Sequence, residues 1–324
     1  MQITPAERQR LAKQVRKIAP EAQDTYLLGR YQYWQTDVVG DQQAIASYER
    51  AIALQPDYAE AYAALSLALR DYGNAGGPAA RDRIRSAAFK ALELDPDRAD
   101  AHAAVGAVST DDWQWERAEQ AYRRAIDLSP DSQDMCYCYA GLLSVLGRHA
   151  ESIAMVQHSV KVNPLLSESF ANLGMRLYEA RRYEEAEVAL QGALDMEQDN
   201  ILARGFLGVV YQTTGRADAA VRLYDRPPLR DSAYMATALA DPGRRRDAMD
   251  FLRTRESKAT LFDYLGFARA YAALGDKDRA IEWLTRAFDA HAAYIEMAHV
   301  SPMFDVFRGD PRFDALVARL HLPT

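Results

Sequence analysis

The sequence predicts an all-α chain, a solenoid of stacked antiparallel helix pairs. Three observations predict it. Alanine supplies 57 of the 324 residues; it costs no side-chain entropy in a helix and lets backbones approach closely. One phrase returns along the chain, as AIASYERAIALQP (Ala44–Pro56), AEQAYRRAIDLSP (Ala118–Pro130) and ESIAMVQHSVKVNP (Glu151–Pro164). Pro96, Pro130 and Pro164 stand 34 residues apart, and the apolar positions between them keep helical spacing, as a repeat of paired helices requires.

In chain order, residues 1–21 read as an N-terminal helix and linker, with 2–20 amphipathic and able to dock on the array. Residues 22–228 hold six units, roughly 22–58, 59–98, 99–132, 133–166, 167–200 and 201–228. The second is six residues longer because of the turn insertion GNAGGP (Gly73–Pro78). Each first helix, helix A, carries a large residue followed by a small one: Leu28-Gly29, Leu65-Ser66, Val105-Gly106, Tyr139-Ala140, Leu173-Gly174 and Leu207-Gly208. The small residue admits the bulk of the second helix, helix B. Seven positions later a glycine often ends helix A (Gly147, Gly215, Gly275), where the left-handed conformation suits it. A proline then stops helix B. Pro227-Pro228 cuts the sixth unit short, and 229–259 reads as a degenerate pair turning at Asp241-Pro242-Gly243. A clear unit returns at 260–293. Residues 294–324 form a cap, with Asp310 as N-cap and Pro311 at N1 of the closing helix. The count is about 7–8 repeats. Each unit has an apolar face it cannot bury alone, so each is expected to touch mainly its neighbours.

These spacings are those of the tetratricopeptide repeat. More specific phrases are APEAQDTYLLGRYQYW, WQWERAEQAYRRAIDLSP, NPLLSESFANLGMRLYEARRYEEAEVALQGALDM and VSPMFDVFRGDPRFDALVARLHL. Together the chain resembles, over about residues 3–322, the C-terminal repeat arm of bacterial regulators. In those proteins the arm follows a TolB-like domain and a winged-helix, cyclase or kinase effector. The resemblance implies a right-handed superhelix and regulation through protein–protein contact, and it brings no catalytic residue with it. No effector is present in this sequence, and 225–260 is shorter and proline-broken relative to the family pattern.

Composition excludes several functions. A net charge of -7 disfavours direct nucleic-acid binding, which needs a basic surface. No run of eighteen apolar residues suggests a membrane span, and the N-terminus lacks the apolar stretch of a secretory signal, so a cytoplasmic location is the expectation. Cys136 and Cys138 face roughly 200° apart on one helix and cannot jointly hold a metal. Cys136 reads as core and Cys138 as partly exposed. The six histidines are dispersed. Gly73–Gly77 is followed by Pro78-Ala79-Ala80 rather than the Lys-Ser/Thr of a phosphate loop. No nucleophile elbow or zinc helix occurs. The expectation is no enzyme, no cofactor and no metal. Trp115 reads as a core plug, Trp113 as the more exposed of the two, and Arg244-Arg245-Arg246 as a solvated face.

The remaining surface for function is the concave face. The repeat family lines it with positions 2, 5, 9, 12 and 13 of each unit. That projection gives Tyr26, Arg30, Tyr33 and Trp34, then Leu67, Arg70 and Asp71, then Tyr137, Met175, Tyr178, Gln212 and Arg269. Aromatic, Met and Arg side chains suit a protein or peptide partner. Tyr26, Tyr33 and Trp34 could equally pack the long first helix. Position 9 carries no Asn, so a chaperone-tail clamp is not expected. Self-association through terminal units, giving a homo-oligomer, is the alternative function; a small-molecule or enzymatic groove site is a more remote one.

Overall fold

The computed structural model describes residues 18–33, 38–73, 77–240, 244–257, 259, 261–292 and 294–323. The segment 1–17, Trp34 and the Asp241-Pro242-Gly243 turn lie outside the described residues. Among those described there is no strand. The helices, numbered from the first described, alternate as A and B. They are α1 (Pro20–Tyr33) and α2 (Val38–Leu54), α3 (Ala59–Gly73) and α4 (Gly77–Leu94), α5 (Ala99–Asp111) and α6 (Trp115–Leu128), α7 (Gln133–Val145) and α8 (His149–Val162). Then follow α9 (Ser167–Glu179) and α10 (Tyr183–Met196), α11 (Ile201–Thr213) and α12 (Ala217–Tyr224), α13 (Ala233–Ala238) and α14 (Arg245–Glu256), α15 (Leu261–Ala273) and α16 (Lys277–Asp289). Two 3₁₀ turns, Ile295–His299 and Pro302–Phe307, and α17 (Pro311–Ala318) close the chain. The chain is an all-α superhelix of stacked pairs.

The large–small pairs do what volume requires. A Cβ built on Gly174 would lie 2.4 Å from Leu190 Cγ, and one on Gly208 would lie 2.2 Å from the ring of Tyr224. Gly29 and Gly106 meet Tyr48 and Tyr122 at 2.7 Å in the same way. A bulky B-helix side chain therefore rests on bare A-helix backbone, and both sides lose water together. Ser132 caps α7, Asn200 caps α11, and Asp310 caps α17 with Pro311 at its first turn. Cys136 is buried and Cys138 half-buried, its thiol pushed up to about 12 by burial.

Along the middle of the array each unit packs on the next. The C-terminal end departs from that pattern. The largest apolar cluster joins Ala103–Val145 to Ala236–Leu320, segments far apart in sequence. Trp115 Nε1 donates to the Leu320 carbonyl at 2.8 Å. Phe304, Phe307 and Phe313 are fully buried and meet each other with ring centroids 5.9–6.4 Å apart. The superhelix curls until its last unit and cap lie against the third and fourth units, with Trp113 on Phe288 and Trp115 on Leu320 across the closure.

Candidate functional site

The A helices pack against one another from unit to unit (α3 on α5, α9 on α11), while the B helices stay apart, so the A helices form the tighter, inner wall. On that wall Glu60, Asp100, Asp134 and Glu168 occupy the first turns of α3, α5, α7 and α9. They complement the positive ends of the helix dipoles and make this end of the concave face acidic. Arg30 is exposed and draws the Asp134 carboxyl down, against the larger upward push of burial.

The opposite end of the wall, where A helices finish and the A–B turns lie, is covered by the chain itself. Residues 294–308 form a strap across it. The Tyr294 phenol donates to Asp71 Oδ1 at 3.1 Å and accepts from Arg70 Nη1 at 3.2 Å, with the guanidinium carbon 4.7 Å from its ring centroid. Arg70 is also bidentate to Asp111, at 2.7 and 2.8 Å. Burial works against the Arg70 charge, and Asp111, Tyr294 and Asp71 together more than offset it. His299 Nε2 lies 3.1 Å from the Val145 carbonyl. Arg181 grips Asp305 with two nitrogens, at 2.6 and 3.1 Å. Just before the strap, His291 stacks on Trp113 at 4.3 Å. Glu296 is buried, and desolvation, with the Asp111 charge second, pushes its carboxyl up to about 8.

The sequence-derived lining falls into separate places. Arg70 and Tyr33 converge on Asp71, where the Tyr33 hydroxyl donates at 2.5 Å. Tyr137 lies half-buried beside them, under the Arg176 guanidinium at 5.9 Å. Gln212 and Arg269 converge on Tyr234: Gln212 Nε2 donates to its carbonyl at 3.4 Å and the Arg269 guanidinium lies 5.2 Å from its ring. Arg269 also lines a cavity of about 130 Å³ with Asp263, Thr237 and Met303. Tyr26 packs on Tyr48 and Tyr58 at 5.9 and 5.2 Å, inside the first unit. Met175 and Tyr178 are buried rather than open lining; Tyr178 sits between Tyr183 and Phe206. Leu67 is half-buried on α3.

Ser144, His149 and Glu179 bring together the residue types of a hydrolytic triad in the wrong order. The Ser144 hydroxyl donates to Glu179 at 2.6 Å, whereas a triad places the acid on the histidine. Ser144 is fully buried, and Glu179 is paired with the buried Arg176 at 2.7 Å. The arrangement is a core polar network. No group of three or more His, Cys, Asp or Glu able to hold a metal occurs among the described residues.

Tetratricopeptide-repeat family models match residues 177–254 and 264–292. The fold is that of a tetratricopeptide-repeat superhelix. Solved structures similar to it include a thermophilic repeat protein of Thermus thermophilus, at TM-score 0.50 and 14% identity over 58% of this chain and 98% of that one. A repeat protein of Parabacteroides merdae matches at TM-score 0.50 and 15% identity over 76% and 98%. The human IFIT1 dimer with m7Gppp-AAAA matches at 0.57 and 13% over 88% and 75%. At these identities the likeness is one of fold. A curated relative, the small glutamine-rich tetratricopeptide repeat-containing protein 2 of Mycosarcoma maydis, is 30% identical over 89 residues, 27% of this chain. The match spans a quarter of that relative's length.

The strap residues Tyr294, His299 and Asp305 escape a reading of the repeat pattern because they lie beyond it. Their partners do leave a signal. In the solenoid's register, Trp113 and Arg181 stand where Gly147, Gly215 and Gly275 end other A helices. Both adopt the same left-handed backbone, φ 57° and 62°, unusual for side chains of that size. Trp113, expected to be the exposed tryptophan, is half-buried against His291 and Phe288. Trp115 is buried, as a core plug should be, and Arg245 and Arg246 are exposed.

Proposed function

We propose that this repeat solenoid is a non-catalytic scaffold that holds a protein or peptide against its concave face, as a cytoplasmic arm of a bacterial regulatory system. Repeats of this class generally mediate protein–protein contact. The observation that carries the groove reading is the strap: the inner wall already binds a polypeptide segment, two short 3₁₀ turns, through a phenol, a histidine and a carboxylate. The regulatory setting rests on the sequence resemblance to arms that follow TolB-like domains. An acidic chain in which no described helix is long and apolar enough to cross a membrane is compatible with the location. The open part of the inner wall, around Arg30 and Leu67, is where a partner gains access without moving the strap.

The test is site-specific photocrosslinking in cells. A photoreactive residue at Leu67, on the inner helix α3, should capture a partner; one at Val188, on the exposed face of the outer helix α10, should not. Equal capture from both positions, or none from Leu67, would remove the groove from the proposal.

A further inference from the structure

We propose that Arg70 and Asp71 form a tyrosine-recognition slot, filled in cis by Tyr294, which a tyrosine flanked by basic residues in a partner segment replaces. The inference rests on the groove reading above and names the chemistry the groove selects.

The slot fits a phenol on every side. Asp71 Oδ1 accepts the hydroxyl proton at 3.1 Å, Arg70 Nη1 donates to the phenol oxygen at 3.2 Å, and the guanidinium covers the ring face at 4.7 Å. A phenylalanine would leave Asp71 without one of its donors, and a phosphorylated tyrosine would set a dianion against that carboxylate. The slot is rigid: Asp71 also accepts from Tyr33, and Arg70 is clamped by both nitrogens to Asp111.

The occupant in cis is a poor competitor. Tyr294 and His291 take left-handed backbone, φ 64° and 47°, which L side chains rarely adopt. Two residues on, Glu296 buries its carboxyl, on which the Asp111 charge also acts. Tyr294 remains 38% exposed, above the largely covered Arg70 and Asp71 side chains. The strap's apolar anchors, Phe304 and Phe307, lie beyond it and need not move. A partner tyrosine in ordinary extended backbone avoids the strain. Cationic flanks would meet Asp71 and Asp111, two carboxylates that share the one Arg70 charge, rather than oppose them.

The experiment uses the full chain and fluorescein-labelled decapeptides with Lys-Tyr-Lys, Lys-Phe-Lys or Glu-Tyr-Glu at the centre, read by fluorescence anisotropy. Tyr294→Ala should bind the Lys-Tyr-Lys peptide at least tenfold more tightly than the parent. It should prefer that peptide to the other two by about tenfold, and Asp71→Asn in the same background should erase the preference over Lys-Phe-Lys. In the parent, saturating Lys-Tyr-Lys peptide should speed hydrogen exchange at residues 294–300 and leave 304–307 unchanged. No gain in Tyr294→Ala, or equal affinity for the tyrosine and phenylalanine peptides, overturns the slot. If Tyr294→Ala loses its helical circular dichroism, Tyr294→Phe decides: a gain of a few fold supports the slot and none refutes it. Capture at Leu67 with peptides indifferent to Asp71 would sink the slot and leave the scaffold reading standing. Failed capture with the expected peptide preferences would do the reverse.

Discussion

Two kinds of A–B turn coexist in this array. In the fourth, sixth and eighth units helix A ends at Gly147, Gly215 and Gly275, with φ 74°, 78° and 73° and open space where a side chain would stand. In the third and fifth units the same left-handed position holds Trp113 and Arg181. A side chain at the glycine positions would meet nothing within 4 Å; the other two grip the C-terminal end, Trp113 through His291 and Phe288, Arg181 through Asp305. A non-glycine residue there costs about 1 kcal/mol of backbone strain, and at both described turns that carry one the side chain meets the C-terminal end. Local strain marks the places where a repeat has a task besides repeating.

The comparison breaks most visibly at Trp113. Trp113→Ala removes an aromatic packed on Phe288 and His291 and leaves the strain in place; it should cost about 3 kcal/mol in urea unfolding and loosen residues 291–300 in hydrogen exchange. Equal protection of that segment in parent and variant would show that the turn does not hold the strap.

Next in size is a pH effect under the strap. Folded, Glu296 keeps its proton up to about pH 8; unfolded, it releases it near 4.5. Between those values the folded state binds more protons, so this group lowers stability as pH rises through the window, with no further loss above it. Glu296→Gln should therefore flatten the decline. Relative to the parent it should gain on the order of 1 kcal/mol or more between pH 5 and pH 8, read from denaturation midpoints at both values. An unchanged difference at the two values would place the carboxyl in water.

A glycine turn should answer differently. Gly147→Ala imposes left-handed strain with nothing to grip and should lose about 1 kcal/mol, with strap exchange unaltered. Arg181→Gly should be smallest, within about 0.5 kcal/mol of the parent, because relief of the turn strain offsets a half-exposed ion pair. Its signature is faster exchange confined to residues 301–308. Loss of global stability instead would mean that Arg181 supports its own unit rather than the strap.

Legibility from sequence divides along the same line. The pairing of Gly174 with Leu190 and of Gly208 with Tyr224 is visible in the large–small alternation, because it concerns two helices a turn apart in the chain. Arg70, Tyr137, Gln212 and Arg269 can be projected onto an inner wall from their place in the repeat. Which of them meet could not be projected: Arg70 joins Tyr294, more than two hundred residues away, and Gln212 and Arg269 meet across Tyr234. Tyr26, Met175 and Tyr178 share the polarity of lining residues but are covered by neighbouring rings or packed within the wall, which a position number does not encode.

The amino-acid order alone set the period, the helix pairs and the small residues that let them touch. Each of those depends on a few dozen consecutive residues and is written again in every unit. The closure of the array, the strap in its groove and the partners of Trp113, Arg181 and Glu296 were decided by the tertiary structure. They arise from a slight rotation per unit, summed over the whole superhelix, and no single stretch of sequence carries that sum.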